Sequence, residues 1–304
     1  MSLRIPQITI AIAAVFFICM SISCTGPDKS PHHYEPVYAK DSSSDKILTL
    51  GVTSLAAYEK YTVFCQYLNK RLPGNIRIQI VASNSLANFI EKMSKKKFAT
   101  VLVNGETALE NLKNGYSIVA KYENDNDYRG MIITRKDALV QQVTDLKGKT
   151  ITCPGPEALA GTKMPLYYLA THGLNLNNDL SITQVTSFES VYMNVYLRKS
   201  FAGTASLSTW ENLIKTKSAI AATLTHQFIT EPLPNLALVI RNDIPAEIQT
   251  KFLDLILNMN KDQEGQKVLA EIGATFFKKA TADSYKKVAV FIDKYREIGP
   301  VFSR

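Results

Sequence analysis

The sequence predicts an α/β protein of two lobes, each a mainly parallel sheet flanked by helices, and three observations point there. From Lys46 onward, short apolar strands alternate with stretches of helical periodicity. After the turn Asp145-Leu146-Lys147-Gly148-Lys149 the same grammar restarts, so that strand, loop and helix recur in both halves. The composition, 304 residues with 46% hydrophobic and 20% charged, is that of ordinary globular domains able to bury a core.

The N-terminus reads as an export segment. Arg4 precedes an apolar run from Ile8 to Met20, short for a spanning helix, which ends in Ser21-Ile22-Ser23-Cys24. Residues 1–23 are expected to form a signal peptide, and residues 24–46 a lipidated Cys24 with a flexible, Ser/Pro-rich tether. The arrangement resembles a bacterial lipoprotein signal, in which the cysteine after the cleavage point takes the lipid, although Ser21 stands where a large aliphatic is usual. A plain signal peptide or an uncleaved anchor is the alternative. His32 and His33 lie in the tether and read as solvated residues rather than a metal site. With Cys19 removed and Cys24 lipidated, Cys65 and Cys153 remain, and both are expected as buried free thiols.

The elements follow in order. Ile47 to Val52 is a strand, Thr53-Ser54 a capping pair, and Leu55, Tyr58, Tyr61, Cys65, Leu68 and Leu72 recur at helical spacing. Ile76 to Val81 leads through Ala82-Ser83-Asn84-Ser85 into a helix bearing Leu86, Phe89, Ile90 and Met93. Phe98 to Val103, the turn Asn104-Gly105-Glu106 and a helix from Thr107 to Leu112 repeat the unit. Tyr116 to Tyr122 and Gly130 to Thr134 are two more strands. The second half gives strands at Thr150 to Cys153, Ser181 to Val185 and Phe201 to Ser206, with helices from Leu166 to Thr171 and from Val191 to Leu197. The strand Leu236 to Ile240 and helices from Pro245, Glu264 to Ile272 and Thr281 to Tyr295 complete the chain. Residues 47–129 plus 232–304 are assigned to the first lobe and 130–231 to the second, joined by a two-segment hinge.

Charge excludes less than it suggests. The formal net charge of +8 is spread along the chain, and Lys95-Lys96-Lys97 falls at a helix end, where a basic turn complements the helix dipole. No nucleic-acid module is present in the sequence, and no nucleic-acid partner is expected.

The opening strand LTLGVT, the segment running from YRGMIITRKDALVQQ to YYLATHGL, and the late stretch from TEPLPNLALVIRNDIP to ADSYKKV occur in a familiar order. Together they resemble the type II periplasmic binding proteins, in the phosphate, phosphite and phosphonate group that serves ABC importers. The resemblance covers roughly residues 47 to 290. It implies a monomeric two-lobed receptor without a cofactor, which closes over a small molecule and passes it to an ABC permease. In phosphonate-binding relatives the loop matching 154 to 165 carries a Ser-Thr-Ser run before its Gly. Here Gly161 and Pro165 keep their places, but the run reads Ala158-Leu159-Ala160. An expected His corresponds to Glu189 and an expected acidic residue to Phe201.

In open parallel sheets the loops after the strand C-termini face the ligand crevice. Those loops supply the candidate ligand-binding residues: Thr53, Ser54, Tyr58, Ser83, Asn104 and Glu106 from the first lobe, Tyr128 from the crossing, and Ala160, Gly161, Thr162, Glu189 and Ser190 from the second. A dry pocket that leaves phosphonate oxygens unmet costs roughly 1–3 kcal/mol for each, so the missing hydroxyls argue for another ligand. Tyr58, Tyr128, Phe188 and Trp210 would enclose a partly apolar or cationic solute, with Glu189 or Glu106 as counter-charge. The function expected is a lipid-anchored solute-binding protein on the periplasmic side of a bacterial membrane. The alternative is a sensory module that signals by the same closure to a membrane receptor or enzyme. For catalysis the sequence offers no Ser/His/Asp arrangement and no metal-spaced His/Cys cluster, and Cys153 ends an apolar strand with no basic partner nearby in sequence.

Overall fold

A computed structural model describes residues 46–53 and 55–300. The expected signal peptide, the lipidation at Cys24, the tether with its histidines, and Ser54 lie outside the described residues.

The first lobe opens with β1 (Lys46–Val52), α1 (Leu55–Arg71), β2 (Ile76–Ala82), α2 (Leu86–Ser94), β3 (Thr100–Val103), α3 (Gly105–Asn111) and β4 (Tyr116–Tyr122). The chain then crosses to β5 (Gly130–Arg135), β6 (Lys149–Cys153), α4 (Met164–Thr171), β7 (Leu180–Gln184), α5 (Phe188–Tyr196), β8 (Ala202–Ser206), α6 (Leu207–Thr216), α7 (Ser218–Thr223) and β9 (Leu224–Gln227). It returns with β10 (Ala237–Arg241), α8 (Ala246–Asn258), α9 (Gln263–Ile272), β11 (Phe277–Lys279) and α10 (Lys286–Ile298).

Two sheets result, ordered β11-β4-β10-β3-β1-β2 and β7-β6-β8-β5-β9. Each has a parallel heart, β3-β1-β2 in one and β7-β6-β8 in the other, because helical crossovers return those strands in the same direction. Both sheets are mixed rather than mainly parallel. The strands next to the crossings run the other way: β10 is antiparallel to β3 and β4, β11 to β4, and β5 to β8 and β9. A strand that enters from the opposite lobe has no crossover helix to turn it round. Helix α6 begins directly after β8, because Ser206 and Thr209 form a reciprocal cap at its start.

Sidedness decides the cores. Phe64, Cys65, Tyr67 and Leu68 of α1 face Leu48, Leu50, Ile76 and Ile78 of the sheet. Phe89 and Met93 of α2, with Phe98, Val101 and Val239, fill its other side. The second lobe buries Ile132, Leu146, Ile151, Leu166 and Leu169 on one face and Met131, Ile133, Val195 and Trp210 on the other. Helix α10 serves both lobes: Val288 and Ile292 join the first lobe's cluster, whereas Tyr295 joins the second's and Phe291 meets Tyr167 edge-on at 5.1 Å.

The two crossings are tied to each other by hydrogen bonds. Arg129 Nη1 donates to the Thr230 carbonyl at 2.9 Å, and Gly130 and Thr230 exchange bonds at 2.9 Å. Asn235, buried in the returning segment, donates through Nδ2 to the Asn124 carbonyl at 2.7 Å and accepts from Leu236 N–H at 2.7 Å. Its backbone N–H donates to Asp125 at 2.9 Å and its carbonyl accepts from Tyr285 Oη at 2.6 Å, while Asp125 also pairs with the buried Lys121. Asn235→Ala removes two side-chain bonds whose partners stay largely out of water. Its expected cost is about 2 kcal/mol, read as a lower midpoint in urea denaturation with an unchanged slope.

Candidate functional site

A cleft of about 760 Å³ separates the lobes, walled by strand ends and helices from both. Thr53, Asn104, Tyr128, Ala160 and Gly161, all expected at the site, line it, and so does Phe188. Asn104 reaches it from the start of α3, where its Oδ1 accepts from Thr107 N–H at 2.9 Å and its Nδ2 donates to the Glu157 carbonyl of the other lobe at 3.4 Å.

The loop 154–163 forms the junction. Its residues Leu159–Lys163 wind as a π-helical turn that runs into α4. Leu159 is 1% exposed and packs into the first lobe's cluster with Phe89, Val103, Ala108 and Tyr285. It is an apolar bridge between lobes rather than a gap left by a lost hydroxyl. The hydroxyls at the turn are bonded to its backbone carbonyls. Thr162 Oγ1 donates to the Pro154 and Gly155 carbonyls, each at 3.0 Å, and Thr204 Oγ1 donates to the Gly161 carbonyl. Gly161 is required by contact: a methyl there would lie 2.5 Å from the Phe188 ring.

Several expected ligand contacts are committed elsewhere. Glu106 pairs with Lys163 across the junction, with side-chain exposures of 10% and 16%. Burial pushes the Glu106 carboxyl above its ordinary value, and the attraction of Lys163 only partly offsets that. Glu189 is an exposed partner of Lys217, and Ser190 donates its N–H to Ser187 Oγ at 3.1 Å in the α5 cap. Ser83 is buried, with no hydrogen-bond partner for its hydroxyl, and is not on the cleft wall. Tyr58 is 40% exposed, away from the lining, and Trp210 is buried in the second core against Tyr192 and His226. Cys65 and Cys153 are buried free thiols, each pushed up to about 12 by desolvation, far from the thiolate a nucleophile needs.

Other residues take their places on the cleft wall. Tyr61 and Tyr122 sit hydroxyl to hydroxyl at 3.2 Å, with Tyr122 Oη also donating to the Ile272 carbonyl at 3.2 Å where α9 ends in the left-handed Gly273. Lys60, Asp127, Glu211, Lys215 and Glu271 supply the charge. Of these, all but Asp127 stand inside helices rather than on strand-end loops, which is why reading the loops passed over them. Among the described residues none of the five makes an ion pair.

Two α/β lobes joined by two crossings, with a solute-sized cleft between them, define a substrate-binding protein of the periplasmic type. The family model described as "ABC transporter, phosphonate, periplasmic substrate-binding protein" matches residues 51–285, and the chain belongs to that family. Membership makes it an extracytoplasmic substrate-binding component of an ABC transporter. No curated protein matches the chain in sequence. Among solved structures, a binding protein component of an ABC phosphonate transporter from Pseudomonas aeruginosa superposes with a TM-score of 0.75 at 18% identity, covering 84% of this chain and 88% of that one. PhnD1 from Prochlorococcus marinus, in complex with methylphosphonate, gives 0.75 at 18% identity, covering 83% and 99%. A Xanthomonas citri protein bound to ATP gives 0.68 at 16% identity, covering 84% and 99%. These likenesses carry the fold.

Breaking the junction pair from one side is expected to be worse than removing it. Lys163→Met strands a desolvated Glu106 carboxylate and should cost about 3 kcal/mol in chemical denaturation, whereas adding Glu106→Leu should restore most of the loss.

Proposed function

We propose that the chain is a lipid-anchored receptor of an ABC importer whose solute is larger than a simple phosphonate. The observation that carries this reading is the junction turn: Leu159 packs into the first lobe's apolar cluster, and the hydroxyls of Thr162 and Thr204 are already bonded to backbone carbonyls. A phosphonate placed there would find no side-chain donors on Ala158-Leu159-Ala160, and each oxygen left unmet weakens binding by roughly 1–3 kcal/mol. Size points the same way. A cleft of about 760 Å³ suits a drug-sized solute. The Prochlorococcus relative holds methylphosphonate and the Xanthomonas relative ATP, so folds of this kind accept solutes at both ends of that range. Glu106 and Glu189, the counter-charges expected for a cationic solute, are instead paired with Lys163 and Lys217. The lipid anchor rests on Cys24 and its flanking residues.

A thermal-shift panel of methylphosphonate, phosphate, amino acids, nucleosides, polyamines and ATP tests the ligand reading. A solute at a hundredfold excess over its Kd adds about 2.7 kcal/mol, which is roughly 5–10 °C for a chain of this size. The expected result is such a rise with a larger solute and none with millimolar methylphosphonate. Methylphosphonate binding at micromolar Kd or tighter overturns it.

A further inference from the structure

Lys60 of α1 and Lys215 of α6 approach the same cleft from opposite lobes. The Lys60 ammonium lies close to Gly273, 3.5 Å from where a methyl on that residue would be, and 5.9 Å from the centre of the Tyr61 ring. Although the Lys60 residue as a whole is exposed, the cleft walls crowd its charged end. Desolvation lowers its pKa first; Glu271 opposes this, and the charge of Lys215 on the facing wall adds to it. Among the described residues neither lysine has an acidic partner within ion-pair distance, whereas Lys163 and Lys217 nearby both do.

We propose that Lys60 and Lys215 form a two-sided clamp for an anionic group, phosphate or carboxylate, of the solute held in the cleft. The inference rests on the reading of this cleft as the solute site and adds which groups grip the ligand. Two like charges facing one another across a cleft resist its narrowing, and an anion between them turns that repulsion into two attractions. The clamp is carried by helices α1 and α6 rather than by the loop between β6 and α4. Tyr61 and Tyr122 beside it offer an aromatic wall for the remainder of the solute. Asp127, Glu211 and Glu271 line the same space and repel an anion, and Glu271 acts on Lys60 more strongly than Lys215 does, so the two ammonium groups must outweigh that repulsion.

The test is calorimetric titration of the full chain with inorganic pyrophosphate, ATP, citrate and adenosine, repeated on Lys60→Met and Lys215→Met. Both lysines are on the surface of the cleft, so the variants should fold with unchanged thermal midpoints, which the same preparations verify. The clamp requires that at least one of the anions binds, that each variant weakens it at least tenfold (about 1.4 kcal/mol), and that raising salt weakens the parent more than the variants. Pyrophosphate or ATP without citrate identifies a phosphoryl group; citrate alone identifies a carboxylate. An anion bound equally well by parent and variants overturns the clamp. Adenosine binding with the anions silent overturns the clamp while leaving the cleft a solute site. Binding of nothing from these four or from the wider solute panel overturns both.

Discussion

Desolvation at the lobe junction is the constraint on which the rest of the molecule depends. Where the loop after β6 meets α3, Glu106 and Lys163 are taken out of water together, and Leu159 is carried into the first lobe's apolar cluster beside them. A buried Leu is worth about 1.5–3 kcal/mol. The ion pair works differently: burial raises the Glu106 carboxyl more than Lys163 lowers it, so the pair contributes orientation more than net stability. Together they divide the labour. The leucine holds the lobes in contact, and the pair fixes how they meet, because a carboxylate and an ammonium this far from water tolerate only one arrangement.

That arrangement changes what solute binding can do. A two-lobed receptor moves between open and closed forms only as far as its ligand prefers one of them. In this chain separation of the lobes would expose Leu159 and part Glu106 from Lys163, with no solute involved. The crossings reinforce the contact, since Asn235 ties the outgoing and returning segments to each other and Tyr285 ties them to the start of α10. Helix α10 then packs on both cores. The internal contacts thus favour this arrangement of the lobes without a solute.

Much of the fold was legible because its signal is local. Leu48 and Leu50 alternate along β1, and Phe64 and Leu68 recur four apart along α1, so strand and helix announce themselves within a few residues. The direction of β10 was not legible, since it depends on which lobe the chain has just left. Strand β11 is three residues long, Phe277-Lys278-Lys279, too short to carry a period. At the site, the loop residues Thr53, Asn104, Ala160 and Gly161 could be placed from the rule that strand ends face the crevice. The fate of Glu106, Glu189 and Thr162 could not. Each is neutralised or satisfied by a partner, Lys163, Lys217 and the Pro154 carbonyl, that becomes a neighbour only after the chain folds. Leu159 was the sharpest case: in the sequence it marks a missing hydroxyl, and in the structure it is a contact.

The charges of the cleft sort by their access to water. Near the junction the ionisable groups are paired, because an isolated ion there would carry its full desolvation cost. Elsewhere on the cleft wall, Lys60, Asp127, Glu211, Lys215 and Glu271 stand without ion-pair partners among the described residues and are exposed overall. Water makes their isolation tolerable, and a solute that displaces the water must replace what it provided. Neutral apolar surface laid over Lys60 and Lys215 would leave two charges both desolvated and mutually repelled. An anion laid between them meets both demands at once. On the clamp proposal, the charged residues of helices α1 and α6, rather than the side chains of Ala158-Leu159-Ala160, would set what the cleft selects.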